Sequence, residues 1–298
     1  MSSRRLLPRS WITPRASPTR AARTGVLIAA LLAITAPVAG HAEDAPVTWA
    51  VYSAPPFMIA DGPDAERGTF DRIRHLLDQR LYGAVSPTLR APFPRVLASL
   101  RDGAEICFIG GIRTPEREAF AVFSLPVALF YPLRIVVRAS DRARFEAHAP
   151  LSLAALLADR SLRTSVLKDR SLGEGVDGLV RAASPRVHSE FGEAFRMLLA
   201  GRLDYLIEYP DIAGYAAGVL SESGNFATLP FTEVPAPVFS HVMCPRTAWG
   251  ERFVARVDAV LRTERATPAY RRMVETWTQD GDRATIRAAY DAVFGASE

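Results

Sequence analysis

Apolar positions along the chain fall into two alternating kinds of segment. Short runs such as Val47 to Tyr52, Ser86 to Arg90 and Ile106 to Ile109 read as strands, and Tyr131 to Val137 reads as a long apolar one. Between them, Phe70, Ile73, Leu76, Leu77 and Leu81 recur at helical spacing, which predicts a helix over Phe70 to Leu81. Phe93 to Leu100 is a second helix with Pro94 in its first turn, and Ala54-Pro55-Pro56-Phe57 is a loop. Val122-Phe123-Ser124-Leu125-Pro126 follows.

The alternation then restarts. Helices are predicted at Leu151 to Leu157, Ser171 to Ala182, Glu193 to Ala200 and Pro210 to Val219. Strands are predicted at Thr164 to Leu167, Arg186 to Ser189, Leu203 to Glu208, Phe226 to Leu229 and Phe239 to Cys244. The tail from Trp249 to Phe294 is helical, with Pro268 opening a second helix. Strand and helix in turn give a mostly parallel sheet covered by helices, met twice: two α/β lobes joined by two or more strands, with the tail returning to the first.

One junction carries candidate chemistry. After Ile106 to Ile109 come Gly110 and Gly111, which allow a tight turn or a close approach to a ligand. Ile112, Arg113, Thr114, Pro115, Glu116, Arg117 and Glu118 follow. Thr114 suits an N-cap, Pro115 the first helical position and Glu116 the first turn. Arg117 then projects beside unpaired backbone N–H groups, an arrangement that holds a carboxylate. A capped surface helix whose arginine pairs with a neighbour fits the same residues.

The ends alter how composition is read. Residues 1–24 contain six arginines and no acid, Val26 to Val38 is apolar, and Gly40-His41-Ala42 offers a cleavage site. We expect residues 1–42 to be an export signal, too short in its apolar part to span a membrane, and the mature chain to be periplasmic and not membrane-embedded. The chain has 36 Lys+Arg and 32 Asp+Glu; without the six leader arginines, 30 bases face 32 acids, net −2. The basic balance belongs to the leader, which removes the case for nucleic-acid binding. Lys168 is the lone lysine. Cys107 and Cys244 both lie in predicted strands, and in an oxidising compartment they form either a bridge or two small buried apolar positions.

Other motifs are weaker. Gly173-Glu174-Gly175-Val176-Asp177-Gly178 fits a dinucleotide pattern, but Lys168 to Leu172 separate it from its strand and the glycines fall inside a helix. His75, His148, His188 and His241 show no ligand spacing, so neither a metal nor a cofactor is expected. Nothing in the spacing of Ser, His and Asp points to a catalytic triad. Tyr209 and Tyr215 read as core or rim.

The order of leader, strand, "PPF", helix, "TPERE", "FS-P", long strand, second α/β unit, "EYP" and "ATPAYRRMVETW" resembles the periplasmic solute-binding proteins of the amino-acid-binding type, extracellular solute-binding family three. The resemblance covers nearly the whole mature chain. It implies a periplasmic binding protein of type II: two Rossmann-like lobes joined by hinge strands, lobe one being 43–131 plus 244–298 and lobe two 132–243. It implies that Arg117 grips a ligand carboxylate, that Phe93, Tyr52 and Phe57 form aromatic walls, and that Gly110 and Ile112 line the pocket. It further implies that Lys168 faces the ligand from lobe two, that Ser171 caps a helix there, and that Glu208 pairs with a ligand amine. Ile112 stands where the family commonly has a hydroxyl, which favours a small carboxylate-bearing solute over an α-amino acid specifically. The family fold also sets the Ile106 strand antiparallel beside the one ending at Cys244, implying a Cys107–Cys244 bridge. The expected role is solute capture for an ABC permease or a sensor, as a monomer without catalysis. An enzyme on the same fold, such as a dehydratase of a cyclic carboxylate using Glu208 or Lys168 as acid or base, is the alternative.

Overall fold

In each of the two larger sheets one strand runs antiparallel to both of its neighbours, and this sets the topology. The computed structural model describes residues 45–298 except 131, 221–223, 234–236, 279 and 295–298. The expected leader, residues 1–42, lies outside the described residues. The first elements are β1 (Thr48–Val51), α1 (Thr69–Tyr82), β2 (Thr88–Arg90), α2 (Phe93–Arg101), β3 (Ile106–Ile112), α3 (Pro115–Glu118), β4 (Ala121–Phe130) and β5 (Arg134–Arg138). Next come α4 (Arg142–Glu146), α5 (Leu153–Ala158), β6 (Ser165–Leu167), α6 (Glu174–Ala183), β7 (Arg186–His188), α7 (Phe191–Leu199), β8 (Leu206–Glu208), α8 (Pro210–Val219) and β9 (Phe226–Leu229). The chain ends with β10 (Val238–Pro245), α9 (Ala248–Glu264), α10 (Pro268–Val274) and α11 (Arg283–Phe294).

The large sheet has the order β2-β1-β3-β10-β4. β1 is parallel to β2 and β3, while β10 is antiparallel to β3 and β4. The second lobe holds an antiparallel set, β8-β5-β9, and a parallel pair, β6-β7. The two α/β lobes thus match the sequence pattern, but β5 and β10, which carry the chain between lobes, are antiparallel to their neighbours. The large sheet takes β10 from Val238 onward, ahead of the sequence boundary at 244. The long strand expected over Tyr131 to Val137 begins at Arg134 instead.

Each lobe closes over its own apolar face. Phe253, Val254, Val257 and Leu261 form one buried stripe of α9, which packs on β4 and β10. Each fully buried side chain of this size contributes about 1.5–3 kcal/mol. A buried carboxylate ties the start of the fold together: Asp78 accepts from Trp49 Nε1 at 2.7 Å, from the Ser86 hydroxyl at 2.6 Å and from the Ser86 N–H at 3.1 Å. Asp71 does the same for the "PPF" loop, accepting the N–H groups of Ile59 at 2.8 Å and Gly68 at 3.1 Å.

Cys107 and Cys244 are disulfide-bonded, with Cα atoms 4.4 Å apart. They sit at the end of β3 opposite to Gly110 and Ile112.

Candidate functional site

β3 delivers the site. Gly110 and Gly111, which the sequence reads as a tight turn or a close approach to a ligand, continue the strand. Their role is close approach to side chains of this chain. Gly110 has φ +103°, and a Cβ there would lie 2.4 Å from the Phe70 ring; one on Gly111 would lie 2.8 Å from Met243 Cβ. β3 can therefore run over the Phe70 ring and end at Ile112 on the cleft.

Thr114 then caps α3 as the residue pattern predicts, its hydroxyl accepting the Arg117 N–H at 3.3 Å. The cap fixes the first turn and sends Arg117 inward, where it is 6% exposed. Nη1 donates to the Ile112 carbonyl at 2.9 Å, and Nη2 donates to the Asp169 carbonyl, in the second lobe, at 2.9 Å. Its guanidinium lies 5.4 Å from the centre of the Phe93 ring. Among the described residues no carboxylate forms an ion pair with Arg117. Burial lowers its pKa, opposed by the more distant charges of Asp177, Tyr52, Glu116 and Asp169.

Phe93, Gly110, Ile112, Arg117, Phe130, Arg170, Ser171 and Tyr209 line the cleft between the sheets. Five of these are site residues expected from sequence; Phe130 and Arg170 are not, and Tyr209 reads from sequence as core or rim. Tyr52 packs beside them, its ring 5.3 Å from Phe93 and 5.6 Å from Phe108. Burial pushes the Tyr52 phenol up to about 12, against the opposing charges of Arg170 and Arg117.

The remaining expected residues sit otherwise. Phe57 packs on Phe70 at 5.3 Å and edge-on to Phe130 at 4.9 Å, so it supports the wall from behind. Lys168 is exposed; its backbone N–H donates to the His188 carbonyl at 3.0 Å, which extends the β6-β7 ladder and leaves the side chain outside. Ser171 does not cap α6. Gly173, at φ +106°, holds that position, and the Ser171 hydroxyl is turned to the Asp177 carboxylate.

Glu208 is buried but already paired. Arg170 grips it with both terminal nitrogens, Nη1 to Oε2 at 2.5 Å and Nη2 to Oε1 at 2.8 Å. Oε1 also accepts the Tyr209 N–H at 2.8 Å. Burial works against the Arg170 cation, yet the charge and hydrogen bonds of Glu208 outweigh it and raise its pKa. Asp169, at φ +59°, turns the chain between Lys168 and Arg170, so the residue facing Glu208 is Arg170 and not Lys168.

Tyr209 stacks on Phe130 with centroids 5.1 Å apart and an interplanar angle of 21°. It is 3% exposed, and its hydroxyl has no hydrogen-bond partner. A buried, unpaired hydroxyl is costly. No group of three or more His, Cys, Asp or Glu able to hold a metal ion occurs among the described residues.

No protein-family model and no curated protein matches the chain. Solved structures do. A histidine kinase sensor domain with similarity to periplasmic binding proteins aligns at 16% identity and TM-score 0.63, covering 79% of this chain and 96% of its own. An amino acid ABC transporter substrate-binding protein from Streptococcus pneumoniae, bound to L-arginine, aligns at 18% identity and TM-score 0.63, covering 79% and 94%. An ancestral amino-acid-binding protein, a precursor of cyclohexadienyl dehydratase, aligns at 16% identity and TM-score 0.60, covering 79% and 95%. The fold is thus that of the two-lobed periplasmic binding proteins.

Proposed function

We propose that this chain is an exported solute-binding protein that captures a small carboxylate-bearing polar solute between its lobes and presents it to an ABC permease or a sensor. One observation carries the reading. Arg117 is a buried cation, bonded to carbonyls from both lobes, with no ion-paired carboxylate among the described residues. Such a charge is poorly compensated by carbonyl dipoles alone, and a guest carboxylate supplies the missing counter-charge. Phe93, Phe130 and Tyr209 add apolar walls of the kind found in small-molecule sites.

Binding is favoured over turnover by the state of the two acid–base candidates. Glu208 is committed to Arg170 by two hydrogen bonds, and Lys168 lies at the surface. Neither is presented to a substrate in the cleft.

The direct test is to purify the protein gently, denature it and identify the released molecule by mass spectrometry, with a thermal-shift screen of small carboxylates alongside. A released carboxylate, or a melting point raised by one, is expected. Arg117→Ala should weaken that binding by about 3–5 kcal/mol, since a desolvated carboxylate loses its partner. Wild-type affinity in this variant would end the proposal.

A further inference from the structure

An α-amino acid needs an anion for its ammonium as well as a cation for its carboxylate. The cleft is built with the second and without a disengaged example of the first. Glu208 stands behind Arg170, held by both guanidinium nitrogens and by the Tyr209 N–H. Asp177, the next acid along that wall, is committed too: Oδ1 accepts the Leu172 N–H at 2.7 Å and Oδ2 the Ser171 hydroxyl. An incoming ammonium would have to take Glu208 from Arg170 and strand a buried guanidinium, a costly exchange. Arg170 and Glu208 neutralise each other, and Arg117 has no ion-paired acid among the described residues, so a guest carboxylate finds a cation while a guest ammonium finds no disengaged acid.

Tyr209 adds the second requirement. Tyr209 lines the cleft, and its buried hydroxyl has no hydrogen-bond partner. Burial holds the phenol protonated far above neutral pH, so it offers an O–H to an oxygen acceptor.

We propose that the cleft selects organic-acid anions bearing a hydroxyl or carbonyl oxygen and no ammonium group, with Arg170, Glu208 and Tyr209 as its specificity-determining residues. This rests on the carboxylate-binding reading above and narrows it.

Matched triplets test it on the purified protein, freed of carried-over solute by unfolding and refolding: lactate, pyruvate and alanine; malate, oxaloacetate and aspartate; phenyllactate, phenylpyruvate and phenylalanine. Calorimetric titration of each, with identification of the co-purified molecule, gives separable outcomes. The expected result is at least tenfold tighter binding of an acid than of its amino analogue, and no amine in the co-purified molecule. An amino acid binding as tightly as its matched acid, or co-purifying, overturns this inference and leaves the carboxylate reading standing. Failure of every member to bind, with a co-purified molecule lacking a carboxylate, overturns both.

Two variants sharpen the result. Tyr209→Phe removes only an unpaired hydroxyl, so the fold should hold while affinity for the acids drops about fivefold or more; an unchanged affinity overturns the oxygen-acceptor requirement. Arg170→Met frees Glu208 and should move the acid-to-amino-acid preference at least tenfold toward the amino acid. A folded variant with the preference unmoved overturns the role given to the pair.

Discussion

The two arginines lining the cleft are held differently. Arg170 is neutralised by Glu208 in a bidentate pair, whereas Arg117 is held only by carbonyl oxygens. The difference marks Arg117 as the position where an outside charge belongs. Gly110 is the other residue on which the site depends, since its backbone is in the left-handed region and lies against the Phe70 ring. Gly110→Ala should therefore destabilise the fold by about 2–4 kcal/mol, the strain of a positive φ adding to overpacking of a buried ring. Urea unfolding of the two proteins measures this, and a difference below experimental error would contradict the account. Arg117 is legible in the sequence because the Thr-Pro-Glu-Arg cap and turn is a local pattern. Arg170 is not, because its partner is 38 residues away and Asp169 must turn the chain before the two meet. The Tyr209 hydroxyl is equally hidden, since sequence does not show which buried hydroxyl lacks a partner.

At the scale of elements, helix ends are set by side chains the local pattern does not always disclose. α5 is capped twice over: Ser152 accepts the Ala155 N–H at 3.2 Å, and Glu233, from the segment after β9, accepts the N–H groups of Leu153 at 2.8 Å and Ala154 at 3.2 Å. Burial raises the Glu233 carboxyl, but its hydrogen bonds with Ser152, Leu153, Thr232 and Ala154 prevail and hold it at about 2. A carboxylate depressed on folding stabilises the protein above its ordinary pKa and loses that contribution as pH falls toward the folded value. The stability gap between wild type and Glu233→Gln should thus be steady near neutrality and shrink between about pH 5 and pH 2. A gap that widens on acidification would reverse the assignment. Helix and strand identity is legible over most of the chain, α8 and β9 to the residue, but β4 and α4 are not read from the sequence. Two misreadings have causes outside the local pattern: β3 continues through two glycines that lie against Phe70 and Met243, and α6 starts after Ser171 because Asp177 claims that hydroxyl.

For the whole molecule, topology follows from the pattern, and pairing across the lobes does not. The two-lobe organisation is readable from the repeated strand–helix order. The contacts that join the lobes, Arg117 to the Asp169 carbonyl and Phe130 against Tyr209, bring together segments that no periodicity links. The disulfide stabilises at this scale. It closes a loop with a sequence separation of 137, and reducing it should lower stability to denaturant by about 3–5 kcal/mol on chain-entropy grounds. Denaturation with and without reductant tests this; coincident curves would mean that the bridge adds nothing.

The same covalent link also partitions the polypeptide. The loop from residue 108 to residue 243 begins and ends in the large sheet and carries β5 through β9 out of it and back within one sulfur-sealed circuit. A backbone break anywhere along that circuit leaves a single connected molecule, with β3 and β10 still stapled together. The far lobe can come apart and re-form without setting its anchor adrift.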